Sequence, residues 1–334
     1  MGKMGKNRVF LYWILALIMT ALMLPAWGCG KAGQSGGESR SGTYEVTDAS
    51  GSVLTLQGKP QKIVSLTIST DEILTALVPH NRIAALSRLA DDPGVSNIAG
   101  QVQDIQGRVS GSDAEKLAAI RPDLVLVSDF MDKGMVQSLK DLGLPVYVYK
   151  TPQSTADIEA VIRSLGKVTG EERKADEMAD RMQSQLDALA KATGNIPEAQ
   201  RKTVLYYTGS GIYAMGQSSF QDICRYAGVR DVTDSLHLTQ AAPLSEETAI
   251  QLNPDVIIVE NWNYDGKHDA REKVQEILDQ PAYQSTSAVQ NKQVFLIPGA
   301  HILALSQYIV KASEDIVRDV YPEQFQVYEK EEGR

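Results

Sequence analysis

The chain has 334 residues, with 33 Lys and Arg against 42 Asp and Glu, a net charge of −9 and a pI near 5.1. This acidic balance argues against nucleic-acid binding, which relies on a basic surface. Roughly 290 residues remain beyond a Gly/Ser-rich stretch near the N-terminus, enough for two hydrophobic cores of ordinary domain size.

The N-terminus has the pattern of a secretion signal. Basic residues precede an apolar run from Val9 to Leu24. A run of this length would also span a bilayer as an anchor helix. However, Thr20, Pro25 and the small residue before Cys29 favour cleavage. We therefore predict a signal peptide over residues 1–28.

Cys29 ends the sequence AWGC, which resembles the bacterial lipobox, in which the cysteine becomes the diacylated first residue of the mature protein. Trp27 is bulkier than the usual residue of that motif. The stretch KAGQSGGESRSG that follows is typical of a flexible tether. We predict a lipid anchor on Cys29, which attaches the protein to the membrane, and a tether over 29–42. Cys224 then has no disulfide partner, and we expect it to be a buried apolar residue.

The segment 43–151 is predicted to form an α/β lobe. TYEVTDASGSVLTL alternates around the turn residues DASG and predicts an edge hairpin. The strand patterns KIVSL, RIAAL, DLVLVS and PVYVYK then alternate with helical stretches, which include Thr70 to Leu77 and Lys133 to Leu142. Strands that alternate with helices indicate a parallel sheet covered on both faces.

Residues 152–192 are predicted to be helical. Apolar residues recur close to helical spacing from Ile158 to Leu189, with charged residues between them. The pattern predicts one long connecting helix, and the glycines from Gly166 to Gly170 mark where it would break.

From 193 to 334 the alternation restarts and predicts a second lobe. TVLYYT, IYAMG, DVIIVE and QVFLIP are strand patterns, while SFQDICRYAG and the stretch from Ala270 to Leu278 are helical. A final helix is predicted from Leu303 to Val320. The predicted fold class is therefore α/β, with two lobes that flank a helical connection.

The two lobes share a repeated unit. EKLAAIRPDLVLVS in the first lobe returns as EETAIQLNPDVIIVE in the second, and each copy places a Glu, Glu115 or Glu247, seven residues before a Pro-Asp pair. The Glu lies in the first turn of a short helix, which the Pro-Asp ends. Ser112 and Glu115 have capping-box spacing, and Ser245 can cap the second helix. We predict related lobes that face each other across a pseudo-two-fold axis.

The sequence predicts neither a cofactor site nor a catalytic centre. Residues 209–214, GSGIYA, match G-x-G-x-x-A after a strand, but a dinucleotide site needs a helix at that point. A β-like run follows instead, so we predict a hairpin turn. The four histidines lack metal-ligand spacing. There is no G-x-S-x-G elbow, and Ser, His and Asp are too scattered to predict a triad.

The motifs together resemble one family. KIVSLTISTDEILTAL, RIAALSRLADDP, EKLAAIRPDLVLVS, YAMGQSSFQDICRYAGV, LSEETAIQLNPDVIIVE and AVQNKQVFLIP are similar to segments of bacterial substrate-binding lipoproteins of ABC importers for iron siderophores and cobalamin. The resemblance runs from about Thr43 to the C-terminus. It implies two Rossmann-like lobes with parallel sheets, joined by a single long helix, with the ligand in the cleft between them. We expect a monomeric binding protein and not an enzyme.

The resemblance also implies the partners. Members of the family dock on a dimeric ABC permease, which works with an ATPase, through one surface Glu on each lobe, and these positions match Glu115 and Glu247. The alternative is that each Glu only complements the positive end of a helix, an effect of about 0.3–1 kcal/mol. A signalling receptor stays open as a different class of partner.

Ligand-binding candidates follow from the strand ends. Ligands of open α/β sheets bind beyond the carboxyl ends of the strands. The predicted ends supply six candidates: Ser69, Arg88, Met131, Tyr207, Trp262 and His301. The family resemblance adds three loop residues near the cleft: Arg108, Tyr213 and His237. Ordinary loop surface is the alternative for each residue.

The candidates favour a ferric siderophore as the ligand. Arg88 and Arg108 would hold an anionic iron chelate by charge-assisted hydrogen bonds, and the aromatic candidates would pack against its organic scaffold. Cobalamin comes second, because its binding proteins tend to carry an aromatic residue where this chain has Leu89. Haem comes third, because a haem-binding protein needs a Tyr, His or Met as axial ligand. His237, His301 and Tyr213 stay open for that role. An anchored enzyme acting on a metal chelate would need a titratable constellation, and the sequence shows none.

Overall fold

The computed structural model describes residues 42–262 and 269–333. The predicted signal peptide, Cys29 and the tether up to residue 41 lie outside these residues. Within the described part of the chain, no helix combines the length and the apolar character that a membrane crossing requires.

The structure begins with the predicted hairpin, which is confirmed. β1 (Thr43–Thr47) pairs antiparallel with β2 (Val53–Gln57). The buried carboxylate of Asp48 accepts hydrogen bonds from the backbone N–H groups of Ser50 and Ser52, both at 2.9 Å, and so fixes the turn.

The N-terminal lobe is built on a five-stranded parallel sheet in the order β5-β4-β3-β6-β7. Its strands are β3 (Ile63–Ser65), β4 (Ile83–Ser87), β5 (Arg108–Val109), β6 (Leu124–Ser128) and β7 (Val146–Tyr149). Its helices are α1 (Ile68–Leu77), α2 (Ala114–Ile120) and α3 (Lys133–Asp141). Alternation along β6 places Leu124 and Leu126 in one apolar cluster and Val125 and Val127 in another, so both faces of the sheet are covered.

The helical connection consists of two helices, α4 (Thr155–Thr169) and α5 (Glu172–Thr193). Gly170 ends α4 in the left-handed conformation at φ 74°, within the glycine segment where the break was predicted. α4 then packs against α5, because Gly166 leaves room for the Ala175 side chain. Residues 152–192 are therefore not one helix, and the long helix that continues into the second lobe is α5.

The C-terminal lobe contains a second sheet in the order β11-β9-β8-β12-β13, with β10 beside the start of β8. Its strands are β8 (Thr203–Thr208), β9 (Gly211–Ala214), β10 (Arg230–Asp231), β11 (Ala242–Pro243), β12 (Val256–Asn261) and β13 (Val294–Pro298). Of these strands, only β9 runs opposite to the others, and it pairs antiparallel with both β8 and β11, because GSGIYA forms the predicted hairpin between β8 and β9. This sheet is therefore mixed, unlike the parallel sheet of the N-terminal lobe.

Seven helices accompany this sheet in the described residues. They are α6 (Ser219–Ala227), α7 (Glu246–Leu252), α8 (Ala270–Asp279), α9 (Ser287–Gln290), α10 (Gly299–Ile302), α11 (Val310–Val320) and α12 (Pro322–Glu332). The prediction of one final helix from Leu303 to Val320 is wrong. Irregular backbone separates α10 from α11, so α11 begins only at Val310, and a further helix, α12, follows it. Cys224 on α6 is buried and free, as predicted.

The two lobes share one hydrophobic core. A single apolar cluster contains Leu126 of β6, Ile162 of α4, Leu186 of α5 and Ile258 of β12. The described residues accordingly belong to one compact unit. The connection thus packs against both sheets and fixes where their strand ends lie.

The repeated unit has the same local structure in both lobes. α2 and α7 have seven residues each and end at a non-glycine residue in the left-handed region, Arg121 at φ 52° and Asn253 at φ 48°. The Asp of each Pro-Asp pair then holds the start of a neighbouring strand. Asp123 accepts from the N–H of Lys62 at 2.8 Å, and Asp255 accepts from the N–H of Thr203 at 2.9 Å.

The helix caps differ between the copies. Ser245 accepts from the N–H of Thr248 at 3.1 Å and caps α7 as predicted. The predicted capping box at Ser112 is wrong, because α2 begins one residue later, after Asp113, and has no side-chain cap. Asp113 instead accepts from the backbone N–H of Ser110 and from Arg88.

Candidate functional site

Hydroxyl groups line the strand ends of the N-terminal lobe. The Tyr149 hydroxyl lies 2.7 Å from Thr67 Oγ1 and 2.9 Å from Ser69 Oγ. Ser69 is buried in the first turn of α1, and burial raises the pKa of the Tyr149 phenol. The Ser69 hydroxyl is therefore engaged by hydrogen bonds within the protein.

A buried carboxylate lies behind these hydroxyls. Asp71 accepts from Ser87 through the backbone N–H at 3.2 Å and through the hydroxyl at 2.5 Å. Because it is completely buried, the pKa of Asp71 is raised to about 7 despite these hydrogen bonds. The group ties α1 to the end of β4, next to Arg88.

Both candidate arginines are paired with carboxylates. Arg108 donates to both oxygens of Asp91 at 2.7 Å and to the backbone oxygen of Gly107 at 2.9 Å. Arg88 donates to Asp113 at 2.9 Å, with 65% of its side chain exposed. The Arg108 guanidinium holds the pKa of Asp91 below its usual range. Neither arginine is an unpaired cation.

Large apolar side chains are exposed on loops that follow the strands. Phe130, two residues after β6, is 88% exposed, and Leu89 after β4 is 39% exposed. In the C-terminal lobe, Leu238 is 40% exposed beside His237, which takes the left-handed conformation at φ 53°. The neighbouring candidate, Met131, packs partly against the core of its own lobe. Of the stretch from Ser128 to Met131 at the end of β6, the sequence-based prediction selected Met131, whereas Phe130 is the more exposed side chain.

A cavity of about 310 Å³ opens at the strand ends of the C-terminal lobe. It is lined by Tyr206, Thr208, Gly209, Ser210, Met215, Glu260, Trp262 and Leu303. Tyr206 donates its hydroxyl hydrogen to the Glu260 carboxylate, and its ring stacks on Phe220 at 5.1 Å between centroids. Tyr206 and Glu260 were not predicted.

Tyr207 points to the opposite face of the sheet from Tyr206. It packs in the second apolar cluster of the C-terminal lobe, and the Lys273 ammonium lies 4.8 Å from its ring centroid. It lines a smaller cavity of about 170 Å³, which shares Trp262 and Glu260 with the larger one. The two-residue period of β8 could have separated Tyr206 from Tyr207. Tyr213 is half-buried on β9, opposite Pro243.

Trp262 connects the lobes at one side of the strand ends. Its indole N–H donates to the Asp92 carboxylate at 3.0 Å, and Gly94 allows the ring to approach. Close by, Asn97 donates to the backbone oxygen of Ala300 at 2.5 Å. The loop after β4 therefore contacts the segments that follow β12 and β13. This junction lies on the carboxyl side of β4, β12 and β13, the side on which ligands of open α/β sheets bind.

A second junction lies behind the cleft. Glu72 on α1 accepts from the Ser306 hydroxyl at 2.5 Å and from the Asn97 N–H at 2.8 Å. Burial raises the pKa of Glu72. This carboxylate thus joins the two lobes through its buried hydrogen bond with Ser306.

His301 is held by the C-terminal lobe. Its Nδ1 lies 2.5 Å from a carboxylate oxygen of Asp315 on α11, and Arg318 donates to the other oxygen at 2.6 Å. The side chain remains 25% exposed. In residues 42–262 and 269–333, no group of three or more His, Cys, Asp or Glu side chains is placed to hold a metal ion.

Glu115 and Glu247 lie on matching positions of the two lobes. Both are exposed in the first turn of their helices, α2 and α7. Gln251 donates to Glu247 at 3.3 Å. Both carboxylates are accessible at the ends of the repeated unit.

Residues 63–300 match the periplasmic binding protein family, so the chain belongs to this family. The class of protein identified from the motifs, a substrate-binding protein of ABC importers, is confirmed. The predicted fold class, α/β with two lobes, is confirmed as well.

Three relatives illustrate the similarity. One is matched over nearly its whole length, and the other two over somewhat more than half of theirs. The chain is 25% identical over 327 residues to the ABC transporter substrate-binding lipoprotein YvrC of Bacillus subtilis, covering 93% of this chain and 96% of the relative. It is 26% identical over 223 residues to a cobalamin-binding protein of Halobacterium salinarum, covering 66% and 59%. It is 26% identical over 203 residues to the ferric enterobactin-binding protein FepB of Escherichia coli, covering 58% and 61%.

A solved structure shows the same fold. The molybdate-bound MolA of Haemophilus influenzae superposes with a TM-score of 0.70 at 18% identity, covering 85% of this chain and 93% of that chain. The similarity extends through both lobes.

Proposed function

We propose that this chain is the solute-binding component of an ABC importer and that its cleft captures a corrinoid such as cobalamin. The exposed Phe130 is the observation that carries this proposal. An aromatic ring with 88% of its surface in water, on a loop after a buried strand, has no role in the fold. Exposed apolar surface is typical of a binding site. Leu89 of the N-terminal lobe and Leu238 of the C-terminal lobe are further exposed apolar side chains, and they support a large ligand with apolar edges.

The charges of the cleft support a corrinoid over the ferric siderophore favoured by the sequence. That prediction assigned Arg88 and Arg108 to hold an anionic chelate, and in the structure each is paired with an aspartate. Arg108 is the more firmly held, because it also donates to three backbone oxygens. The H. salinarum relative, named as a cobalamin-binding protein, fits the same proposal.

A ferric siderophore is the second candidate. The pair between Arg88 and Asp113 is exposed, and such pairs contribute only about 0–1 kcal/mol. An anionic chelate could therefore displace Asp113 from Arg88 at little cost. The similarity to FepB fits this alternative.

Fluorescence titration separates the two candidates. The chain has three tryptophans, and cleavage before Cys29 would leave Trp262 as the single one. We expect cyanocobalamin to quench Trp262 fluorescence at sub-micromolar concentration, and ferric enterobactin, haemin and molybdate to do so only at much higher concentration. A protein that binds a ferric siderophore tightly and cyanocobalamin weakly would overturn the first candidate in favour of the second.

We propose that Glu115 and Glu247 dock on the permease. They are exposed at equivalent positions of two related lobes, so they suit a partner with two-fold symmetry. The double variant Glu115→Ala and Glu247→Ala is expected to abolish uptake and to leave ligand affinity unchanged. Glu45 and Glu323 are exposed elsewhere, and their double alanine variant is the matched control. Uptake at the parental rate in the first variant would contradict the docking role.

We also propose that the protein is lipid-anchored at Cys29, with the binding domain beyond a tether. The relative YvrC carries the name of a lipoprotein, which supports this proposal. Cys29→Ser is expected to move the protein from the membrane fraction to the soluble extracytoplasmic fraction without a change in ligand affinity. Retention in the membrane fraction would contradict the anchor.

A further inference from the structure

Glu260 is a carboxylate at a position where the fold calls for an apolar side chain. Along β12, Val256 and Ile258 point into the shared core, and Glu260 is the next residue on the same face. It is only 6% exposed. Burying a carboxylate is costly unless its oxygens are well paired, so the residue needs an explanation beyond packing.

The partners of Glu260 leave part of its hydrogen-bonding capacity open. Tyr206 donates its hydroxyl hydrogen, and the backbone N–H of Gly209 donates as well. A carboxylate offers about four acceptor sites. Among residues 42–262 and 269–333, no cation contributes to its environment, and burial raises the pKa of Glu260.

Glu260 lines both cavities at the strand ends. The larger, of about 310 Å³, and the smaller, of about 170 Å³, share Thr208, Gly209, Glu260 and Trp262. These volumes suit a substituent of a ligand and not a whole corrinoid. The remaining surface of the larger cavity combines the hydroxyl of Ser210 with the apolar side chains of Met215 and Leu303.

We propose that Glu260, fixed by Tyr206, is a specificity residue that accepts a hydrogen bond from an N–H donor on a side chain of the ligand, a primary amide or an ammonium group. The proposal rests on the proposed function, because the periphery of a corrinoid carries primary amides. The larger cavity disfavours a carboxylate on the ligand, because that group would face the buried Glu260 and none of the described residues that line this cavity is a cation.

A matched pair of ligands tests the subsite. The full-length protein is titrated with cyanocobalamin and with its monocarboxylic acids, in each of which one side-chain amide is replaced by a carboxylate. We expect at least one acid to bind about tenfold or more weakly than cyanocobalamin, the size expected for losing a hydrogen bond to a charged group. In Glu260→Gln, which accepts and donates, this difference should fall below about threefold. Glu260→Asp keeps the negative charge on a side chain that is shorter by one methylene group. The ratio of its affinities for cyanocobalamin and the acid should be intermediate.

Glu323→Gln, on the exposed surface of α12, is the matched control and should keep the parental ratio. Denaturation midpoints establish that each variant is folded. An unchanged ratio in folded Glu260→Gln and Glu260→Asp, or no discrimination by the parental protein, overturns the subsite.

If the parental protein binds no corrinoid, the proposed ligand is overturned. The subsite is then tested with a second pair of ligands. Ferrioxamine B has a free ammonium group, and its N-acetylated form does not. A preference for the ammonium form that disappears in Glu260→Gln would uphold the subsite for a siderophore. Absence of such a preference, or of any binding to either ligand class, would overturn it.

Discussion

The two lobes repeat the same unit but present different chemistry at their strand ends. The N-terminal lobe pairs Arg88 and Arg108 with aspartates and exposes Phe130. The C-terminal lobe places Glu260 beside a cavity with Tyr206 as its side-chain donor. The repeated unit is common to both lobes, and the side chains near the strand ends differ between them. We propose that the first lobe supplies apolar contact to the ligand and that the second supplies a hydrogen-bond acceptor.

The largest expected effect tests whether the lobes are one cooperative unit. Leu126 and Ile258 occupy equivalent positions in one shared apolar cluster. Leu126→Ala and Ile258→Ala should each lower the free energy of unfolding by about 2–5 kcal/mol, because each leaves a cavity in that core. Denaturant unfolding should stay a single transition in both variants. Two separate transitions, with only one shifted by each substitution, would show that the lobes are independent.

The next effect is a dependence of stability on pH that arises from a carboxylate of the N-terminal lobe. Asp71 of the N-terminal lobe has a pKa raised to about 7, above the value of about 3.9 in an unfolded chain. The folded state therefore keeps a proton that the unfolded state releases. Its stabilising contribution is full below about pH 4 and is lost as the pH rises towards 7, with a slope of up to about 1.4 kcal/mol per pH unit.

Asp71→Asn removes this titration. Between pH 5 and pH 8, the parental protein should lose about 1–3 kcal/mol more stability than Asp71→Asn, measured by urea unfolding at each pH. Ser87→Ala removes one hydrogen bond to the same carboxylate and keeps the titrating group, so it is the control. Equal losses in the parental protein and in Asp71→Asn would mean that Asp71 ionises normally in the fold.

The smallest stability effect compares the Asp residues of the repeated unit. Each of these carboxylates accepts two hydrogen bonds at the start of a strand, Asp123 from the N–H groups of Gln61 and Lys62 and Asp255 from the N–H and hydroxyl of Thr203. Asp255 is the more buried of the two. Asp255→Ala should cost about 2 kcal/mol and Asp123→Ala about 1 kcal/mol, in urea unfolding. A larger loss of stability in Asp123→Ala than in Asp255→Ala would show that burial does not decide how much each carboxylate stabilises its lobe.

The sequence predicts the architecture well because the relevant signals are local and periodic. The hairpin at DASG, the Pro-Asp ends of α2 and α7, and the turn in GSGIYA each depend on a few adjacent residues. The predictions that proved wrong concern positions where two neighbouring residues could take the same local role. Ser112 has the spacing of a cap, yet Asp113 takes the N-cap position and is itself engaged by Arg88.

The site was harder to predict because its chemistry depends on contacts between distant residues. Nothing near Arg108 in the sequence shows that Asp91, 17 residues away, occupies its guanidinium. The contact of Trp262 with Asp92 spans 170 residues. Glu260 looks like the polar end of a strand until its burial is known. Strand ends could be named from the sequence, but their pairing required the folded chain.

Truncation of Phe130 tests the central claim most directly. Val53 is 60% exposed in the N-terminal hairpin, so Val53→Ala is a matched loss of exposed apolar surface away from the cleft. By calorimetry with cyanocobalamin, Phe130→Ala should weaken binding about tenfold or more, since an aromatic contact of this kind contributes on the order of 1–2 kcal/mol, and Val53→Ala should leave the affinity unchanged. Equal affinity in the parental protein and in folded Phe130→Ala would contradict an apolar corrinoid-binding surface at the end of β6.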